Sequence, residues 1–235
     1  MQVKNPETRL ASLWGLIDRQ HNEEIISRLR GRRVLDVGCG YGSLVAELSR
    51  REYAAIGVDP DPISIEAARR LFPHADVRVA RAEDLDPSYD GTLDAITLKD
   101  CLHHLIGEGE ADEAFSAFQR LLKPNGRLVI LDPNPIWILR VARRLANFHD
   151  FQTPLDEARQ TLRRYGFKVH SVSYYEVLGL PLSGGYVYLE LLPRIRVLQQ
   201  AVSLLNRALS HFADRAGLGN LLCWRYILVA DLQST

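Results

Sequence analysis

The stretch Val34-Leu35-Asp36-Val37-Gly38-Cys39-Gly40-Tyr41-Gly42 limits what this chain can fold into more than any other: an apolar run carrying one acid enters three alternating glycines. A near-continuous apolar run suits a strand covered on both faces. Glycine reaches the left-handed backbone that a tight turn needs, and without a side chain it lets a ligand approach the main chain. The next segment, Ser43 to Arg50, reads as a helix whose free N–H groups and positive dipole end point back at the turn. Strand, glycine turn and helix in this order predict a ligand-binding turn at the carboxyl edge of an α/β sheet.

Two ligand classes use such a turn, and the spacing separates them. A dinucleotide fingerprint reads G-x-G-x-x-G or A and rests a pyrophosphate on the helix start. Here the third position of that pattern is Ser43, and the glycines fall at 38, 40 and 42. Asp36 would repel a pyrophosphate, whereas it suits a ligand carrying an ammonium and a sulfonium. These residues resemble motif I of the class I S-adenosylmethionine-dependent methyltransferases, an apolar pair followed by Asp-x-Gly-x-Gly-x-Gly.

The rest of the chain alternates apolar strands with helical patterns, which predicts a largely parallel sheet covered on both faces. A leading helix is predicted over Thr8–Leu29, with strands at Arg33–Val37, Ala54–Val58 (ending at Asp59), Val77–Ala80, Leu93–Leu98 and Arg127–Leu131. Helices are predicted over Pro62–Leu71, with Asp61 as N-cap, over Asp112–Leu122 and over Pro154–Tyr165. Two late strands, Lys168–Tyr175 and Cys223–Ala230, complete the pattern. The resemblance implies a Rossmann-like α/β/α sandwich with a mostly parallel seven-stranded sheet and an antiparallel last strand. It covers roughly residues 30–175 and the final strand.

The resemblance also distributes roles along the carboxyl edge. It places the cofactor on Asp36, Gly38, Cys39, Gly40, Tyr41 and Gly42. It gives the ribose to Asp59, whose carboxylate can accept from both hydroxyls, with Pro60 beside it. Where relatives often carry an Asp near the adenine amine this chain has Arg81, so Ala82 and Glu83 are the expected adenine neighbours. Lys99 is expected beside the methionine end through its backbone and stem. Next comes Cys101-Leu102-His103-His104-Leu105. A histidine suits general-base work because its ordinary pKa is near 6.5. Adjacent histidines cannot face the same way, so His104 is taken as the pocket-side base and His103 as a second candidate, with packing or loop ordering as the competing role. No Cys or carboxylate completes a metal set around them, and no metal is expected.

Composition narrows the acceptor. Among 235 residues, 29 Lys and Arg stand against 29 Asp and Glu, so no global field recruits nucleic acid. The Asn/Asp-Pro-Pro-aromatic tetrad used on nucleic-acid amino groups is absent after the fourth strand. Three widely spaced cysteines and no signal peptide point to reduced thiols in a cytoplasm. Acceptor specificity is expected in two helical insertions of a single domain, at 132–151 and 179–222. Trp137, Val141, Leu145 and Phe148 form an apolar stripe in the first, with Arg140, Arg143 and Arg144 turned away. In the second, Val197, Leu198, Val202, Leu205, Leu209 and Phe212 follow Arg194 and Arg196. Such segments can pack on the sheet, cap an apolar or lipid-like acceptor as a lid, or make peripheral contact with an anionic membrane face. A histidine base favours oxygen as the methylated atom. A non-catalytic protein binding S-adenosylmethionine, and an NAD-dependent oxidoreductase, are the rival readings; Ser43 and Asp36 count against the second.

Overall fold

The computed structural model describes residues 6–136, 152–183 and 192–233. Its strands are β1 (Arg33–Val37), β2 (Ala54–Asp59), β3 (Asp76–Val79), β4 (Leu93–Lys99), β5 (Leu122–Pro133), β6 (Phe167–Tyr175) and β7 (Arg225–Leu232). They form one seven-stranded sheet in the order β3-β2-β1-β4-β5-β7-β6. β7 runs antiparallel between β5 and β6, and the other pairings are parallel. The order reverses between β1 and β4, which puts a crevice beyond the carboxyl ends of those two strands, where the glycine turn emerges.

The helices are α1 (Pro6–Leu10), α2 (Leu13–Ile26), α3 (Ser43–Arg50), α4 (Pro62–Leu71), α5 (Leu102–Gly107), α6 (Ala111–Leu121), α7 (Leu155–Arg164), α8 (Gly179–Ser183), α9 (Arg196–Arg215) and α10 (Gly219–Leu222). One core layer joins Leu35, Ile96, Leu128 and Leu228 to Phe115 and Phe118 of α6 and Ala158 and Leu162 of α7. The opposite layer joins Val34, Val129 and Ile227 to Ile25 of α2, Leu44 and Leu48 of α3, and Ile65 of α4. Alternate residues of β1 thus feed opposite layers, as strand periodicity requires.

Several boundaries move. The leading helix is two: Ser12 takes the N-cap of α2 by accepting the Trp14 N–H at 3.2 Å, and a Cβ at Gly15 would lie 2.0 Å from the Leu10 carbonyl oxygen. α5 has no counterpart in the sequence expectation. β5 runs on through Asp132 and Pro133, so the first insertion begins later than predicted. Its stripe, Trp137, Val141, Leu145 and Phe148 with Arg140, Arg143 and Arg144, lies outside the described residues. Among the described residues the second insertion is α8, α9 and α10, and α9 is turned opposite to a helix that caps a pocket. It packs on α2 and β6 through Gln199, Ser203, Asn206 and Ser210, all buried, and points Val197, Leu204, Leu205 and Phe212 at solvent. No helix among the described residues is long and apolar enough to cross a membrane.

Candidate active site

The turn after β1 is held by its backbone. The Gly38 and Cys39 N–H groups donate to the Val58 carbonyl at 2.9 and 3.0 Å, and Gly38, Gly40 and Gly42 have φ of 69°, 50° and 72°. A side chain is strained at all three positions. Space differs among them: a Cβ at Gly38 would meet the Cys101 sulfur at 2.7 Å, whereas nothing lies within 4 Å of one at Gly40. The open face at Gly40 is what a ligand needs to reach the main chain.

Asp59, at the end of β2, closes on this turn. Its Oδ2 accepts the Gly40 N–H at 2.8 Å and its Oδ1 accepts the Asp61 N–H at 2.9 Å. A carboxylate offers about four acceptor directions, so roughly half its capacity remains. Asp61 independently caps α4, accepting the Ile63 and Ser64 N–H groups at 3.1 Å each. Capping therefore makes no demand on Asp59.

Asp36 lies behind the turn, 1% exposed, with the Thr97 hydroxyl donating to its Oδ1 at 2.7 Å. Burial pushes its carboxyl up to about 6, a rise opposed by the Lys99 ammonium and the Thr97 hydrogen bond. Lys99 spends its three donors on the Asp18 carboxylate (2.9 Å), the Asn22 carbonyl (2.8 Å) and the Ser43 hydroxyl (3.0 Å), tying α2 to the start of α3. Only its backbone and stem remain for a ligand.

A cavity of about 330 Å³ opens at this edge. Gly38, Asp59, Pro60, Ala82, Glu83 and His104 of the predicted site line it, joined by Asp100, Cys101 and Leu105. Asp36, Cys39, Gly40, Tyr41, Gly42 and Lys99 are not in its wall. Cys39 is a core residue whose thiol is pushed up chiefly by burial, and a Cβ at Gly57 would lie 2.8 Å from its sulfur. Arg81 also borders the cavity, but its guanidinium is engaged by Glu110.

The two histidines separate as adjacent helical residues must. His104 faces the cavity and is half exposed, with Nδ1 3.2 Å from Glu108 Oε1. His103 is buried, its Nδ1 2.9 Å from Oδ1 of Asp132, which is also fully buried. Burial raises the Asp132 carboxyl, and the hydrogen bond from His103 opposes that rise. The pair fastens α5 to the end of β5. Asp132 drew attention in sequence as the first residue of an insertion and in Asp132-Pro133-Asn134-Pro135, which lacks the aromatic of a base-stacking tetrad, and not as a partner of His103.

A second group was missed altogether. Arg225, at the start of β7, donates from Nε to Oε2 of Glu176 at 2.7 Å and reaches Asp100 on the cavity wall. His21 of α2 lies 3.0 Å from the same Glu176 oxygen. Asp100 and Glu176 have φ of 55° and 73°. Two non-glycine residues in the left-handed region, both held by one guanidinium, mark a set of contacts strong enough to outweigh local strain. Their positions in the sequence, far apart and without a shared pattern, gave no signal.

Another cavity, of about 420 Å³, lies between the end of β5 and the second insertion, lined by Asn134, Pro135, Ile136, Pro154, Tyr174 and Leu221 among others. The Asn134 amide donates to the Cys223 and Asn220 carbonyls at 2.9 and 3.3 Å, which ties this wall to α10.

Glycine turn, strand-end acid and strand order are features of a doubly wound α/β sheet with its crevice at the carboxyl edge, and comparison with known proteins narrows the class. Residues 35–130 match the family described as methyltransferase domain. A ubiquinone biosynthesis O-methyltransferase of Alkalilimnicola ehrlichii is 33% identical over 118 residues, 48% of this chain and 47% of that protein. The chain spans about half the length of the curated relatives it matches. Among solved structures, a SAM-dependent methyltransferase from Archaeoglobus fulgidus superimposes with a TM-score of 0.64 at 21% identity, over 92% of this chain and 93% of that one. The [4+2]-cyclase SpnF gives 0.60 at 20%, over 94% and 83%. Residues 35–130 thus match a methyltransferase domain, and the chain as a whole shares its fold with solved S-adenosylmethionine-dependent methyltransferases.

Proposed function

We propose that this protein transfers a methyl group from S-adenosylmethionine to an oxygen of a small, apolar acceptor. The observation that carries the reading is Asp59, which bonds the Gly40 N–H and still faces a cavity with carboxylate capacity to spare. The residues fit the cofactor: open backbone at Gly40, an acid for ribose hydroxyls, Ala82 and Glu83 for the adenine, and Asp36 behind the turn to favour a cationic amino-acid end. When bound, the cofactor supplies an activated methyl carbon on a sulfonium leaving group.

What remains for the chain is positioning and proton removal. His104 is the member of the histidine pair with access to the cavity, and we assign it the acceptor proton, with Glu108 orienting the ring through Nδ1. His103 and Asp132 are positioning residues that fix α5 and so hold His104 in place. The acceptor reading rests on the ubiquinone-type relative; the cavity between β5 and α10 mixes Pro135, Ile136, Leu155 and Leu221 with Asn134, Asp156, Arg159 and Asn220. Residues 1–235 are read as one domain in which the two insertions set acceptor choice, acting in a cytoplasm and at the inner membrane face.

A second reading keeps the fold and changes the reaction, since SpnF, a [4+2]-cyclase, shares this architecture. Calorimetry with S-adenosylmethionine, S-adenosylhomocysteine and NAD, followed by label transfer from methyl-labelled cofactor into a lipid extract, separates these readings. Tight binding of the first two, loss of more than about a hundredfold in affinity on Asp59→Ala, and a labelled product are expected. Preferential NAD binding overturns the cofactor assignment; cofactor binding without labelled product favours the second reading.

A further inference from the structure

α9 inverts the usual arrangement of a surface helix. Gln199, Ser203, Asn206 and Ser210 are buried, and the polar groups of Ser203, Asn206 and Ser210 are satisfied inside the protein. Gln20 of α2 donates to the Ser203 carbonyl and hydroxyl at 2.7 and 2.8 Å, and Asn206 Oδ1 accepts three backbone N–H groups, from Val177, Leu178 and Gly179, at 2.8–3.1 Å. Polarity on this face therefore does not make it a solvent face. The opposite face exposes Val197 (75%), Leu204 (68%), Leu205 (50%) and Phe212 (66%), and α10 continues it with Leu221 (58%). At 100° per residue these α9 side chains fall in one stripe, with Ala201 and Ala208 between them. Contiguous exposed apolar surface of this kind marks an interaction site.

Charge decides what it meets. Arg196 and Arg215 stand exposed at the two ends of α9, and Arg207 and His211 lie along one flank, paired with Glu23 and Glu24 of α2. The single acid of α9, Asp214, is turned inward and accepts the Tyr174 N–H at 2.7 Å. A second copy of the chain is a poor match: an isologous contact sets arginine against arginine, Arg196 on Arg215 if the two helices run antiparallel and each on its own copy if they run parallel. A surface that is apolar at depth and anionic at its rim fits both features.

We infer that the α9–α10 face docks this protein on an anionic lipid bilayer, with Leu204, Leu205 and Phe212 entering the headgroup boundary and Arg196 and Arg215 against lipid phosphates. Leu221 belongs both to this face and to the wall of the 420 Å³ cavity beside Asn134 and Pro135. Docking then brings that cavity to the membrane, a consequence that rests on the apolar-acceptor reading above; the docking itself does not.

The test is flotation of the full-length protein with vesicles of phosphatidylcholine, with and without about one-third phosphatidylglycerol. Co-flotation with the anionic vesicles at low salt, and its loss at high salt, are expected. Leu204→Glu with Phe212→Glu should abolish it. Arg196→Gln with Arg215→Gln should weaken it roughly 25-fold, about fivefold for each charge. Thermal melting and S-adenosylmethionine affinity serve as folding controls that the lipid reading does not move. Absence of wild-type flotation, or equal flotation of wild type and both variants, overturns the inference. So does a wild-type dimer in sedimentation that Leu204→Glu dissociates, since a second copy then covers the face. None of these readouts uses an acceptor or turnover, so their failure leaves the proposed reaction standing.

Discussion

Two regions of this protein bury polar side chains, and they do so to opposite ends. Along the carboxyl edge of β1, β2 and β4, Asp59 keeps acceptor capacity toward an open cavity and Asp36 is buried at a cost in ionisation. In the seam between α2 and α9, Gln20, Ser203, Asn206 and Ser210 close on one another and on the backbone of residues 176–179. Polar burial with capacity left over makes a ligand site; polar burial that closes on itself makes structure. The seam's outward consequence is that the helix's hydrophobic side is left for something outside the chain.

The comparison breaks most visibly at the histidine pair, where one residue belongs to each kind. His103→Ala leaves the Asp132 carboxylate buried without its partner and should cost about 3–5 kcal/mol of stability, read as a lowered denaturant midpoint. His104→Ala should leave stability within about 0.5 kcal/mol while lowering kcat by roughly 10²–10⁴. Turnover retained in His104→Ala removes the base assignment. A stable His103→Ala protein with a normal melt would show that the buried pair does not hold α5.

Asn206→Ala probes the self-closed seam. It orphans three backbone donors and the Asn206 amide's bond to Gln20, so a loss of about 3 kcal/mol is expected, with cofactor affinity unchanged within about twofold. Urea unfolding and calorimetry report the two quantities separately. A large loss of cofactor affinity would mean that the seam and the site are one unit, contrary to the distinction drawn above.

How much of this was legible in the sequence follows the same division. Motif-borne parts were readable because a turn with three left-handed glycines and an acid at the next strand end admits few alternatives. The mostly parallel seven-stranded sheet and the antiparallel β7 followed from the alternation of elements and the resemblance together. Asp132 escaped because its partner is 29 positions away, and a strand end looks like a loop when it carries Asp-Pro. The Arg225, Glu176 and Asp100 contacts depend on which strands meet and leave no periodic trace. α9 was read as amphipathic with its orientation left open among sheet, lid and membrane, since periodicity separates two faces without saying which one the tertiary structure covers. Ser203, Asn206 and Ser210 could be buried because α2 and the 176–179 backbone supply partners, and that is tertiary information.

The smallest effect distinguishes the two kinds of polar burial most sharply, because it turns on Asp36 alone. Its carboxyl titrates near 6 in the folded protein against an ordinary 3.8, under burial opposed by Lys99 and Thr97 and assisted by Asp59 and Asp18. The folded state therefore holds the proton more tightly than the unfolded one. Its contribution to the stability of the unliganded protein is full below about pH 4 and is lost as pH rises through about 6. A cationic ligand end reverses the preference, since it favours the carboxylate. Affinity for S-adenosylmethionine should accordingly fall as pH drops below 6, by up to about tenfold per unit, and level off above it. Asp36→Asn should flatten both profiles and raise the unliganded melting temperature at pH 8 more than at pH 5. If affinity is flat from pH 5 to 8 in the wild type, Asp36 does not sense the ligand's charge, and its burial belongs with the self-closed contacts of the seam.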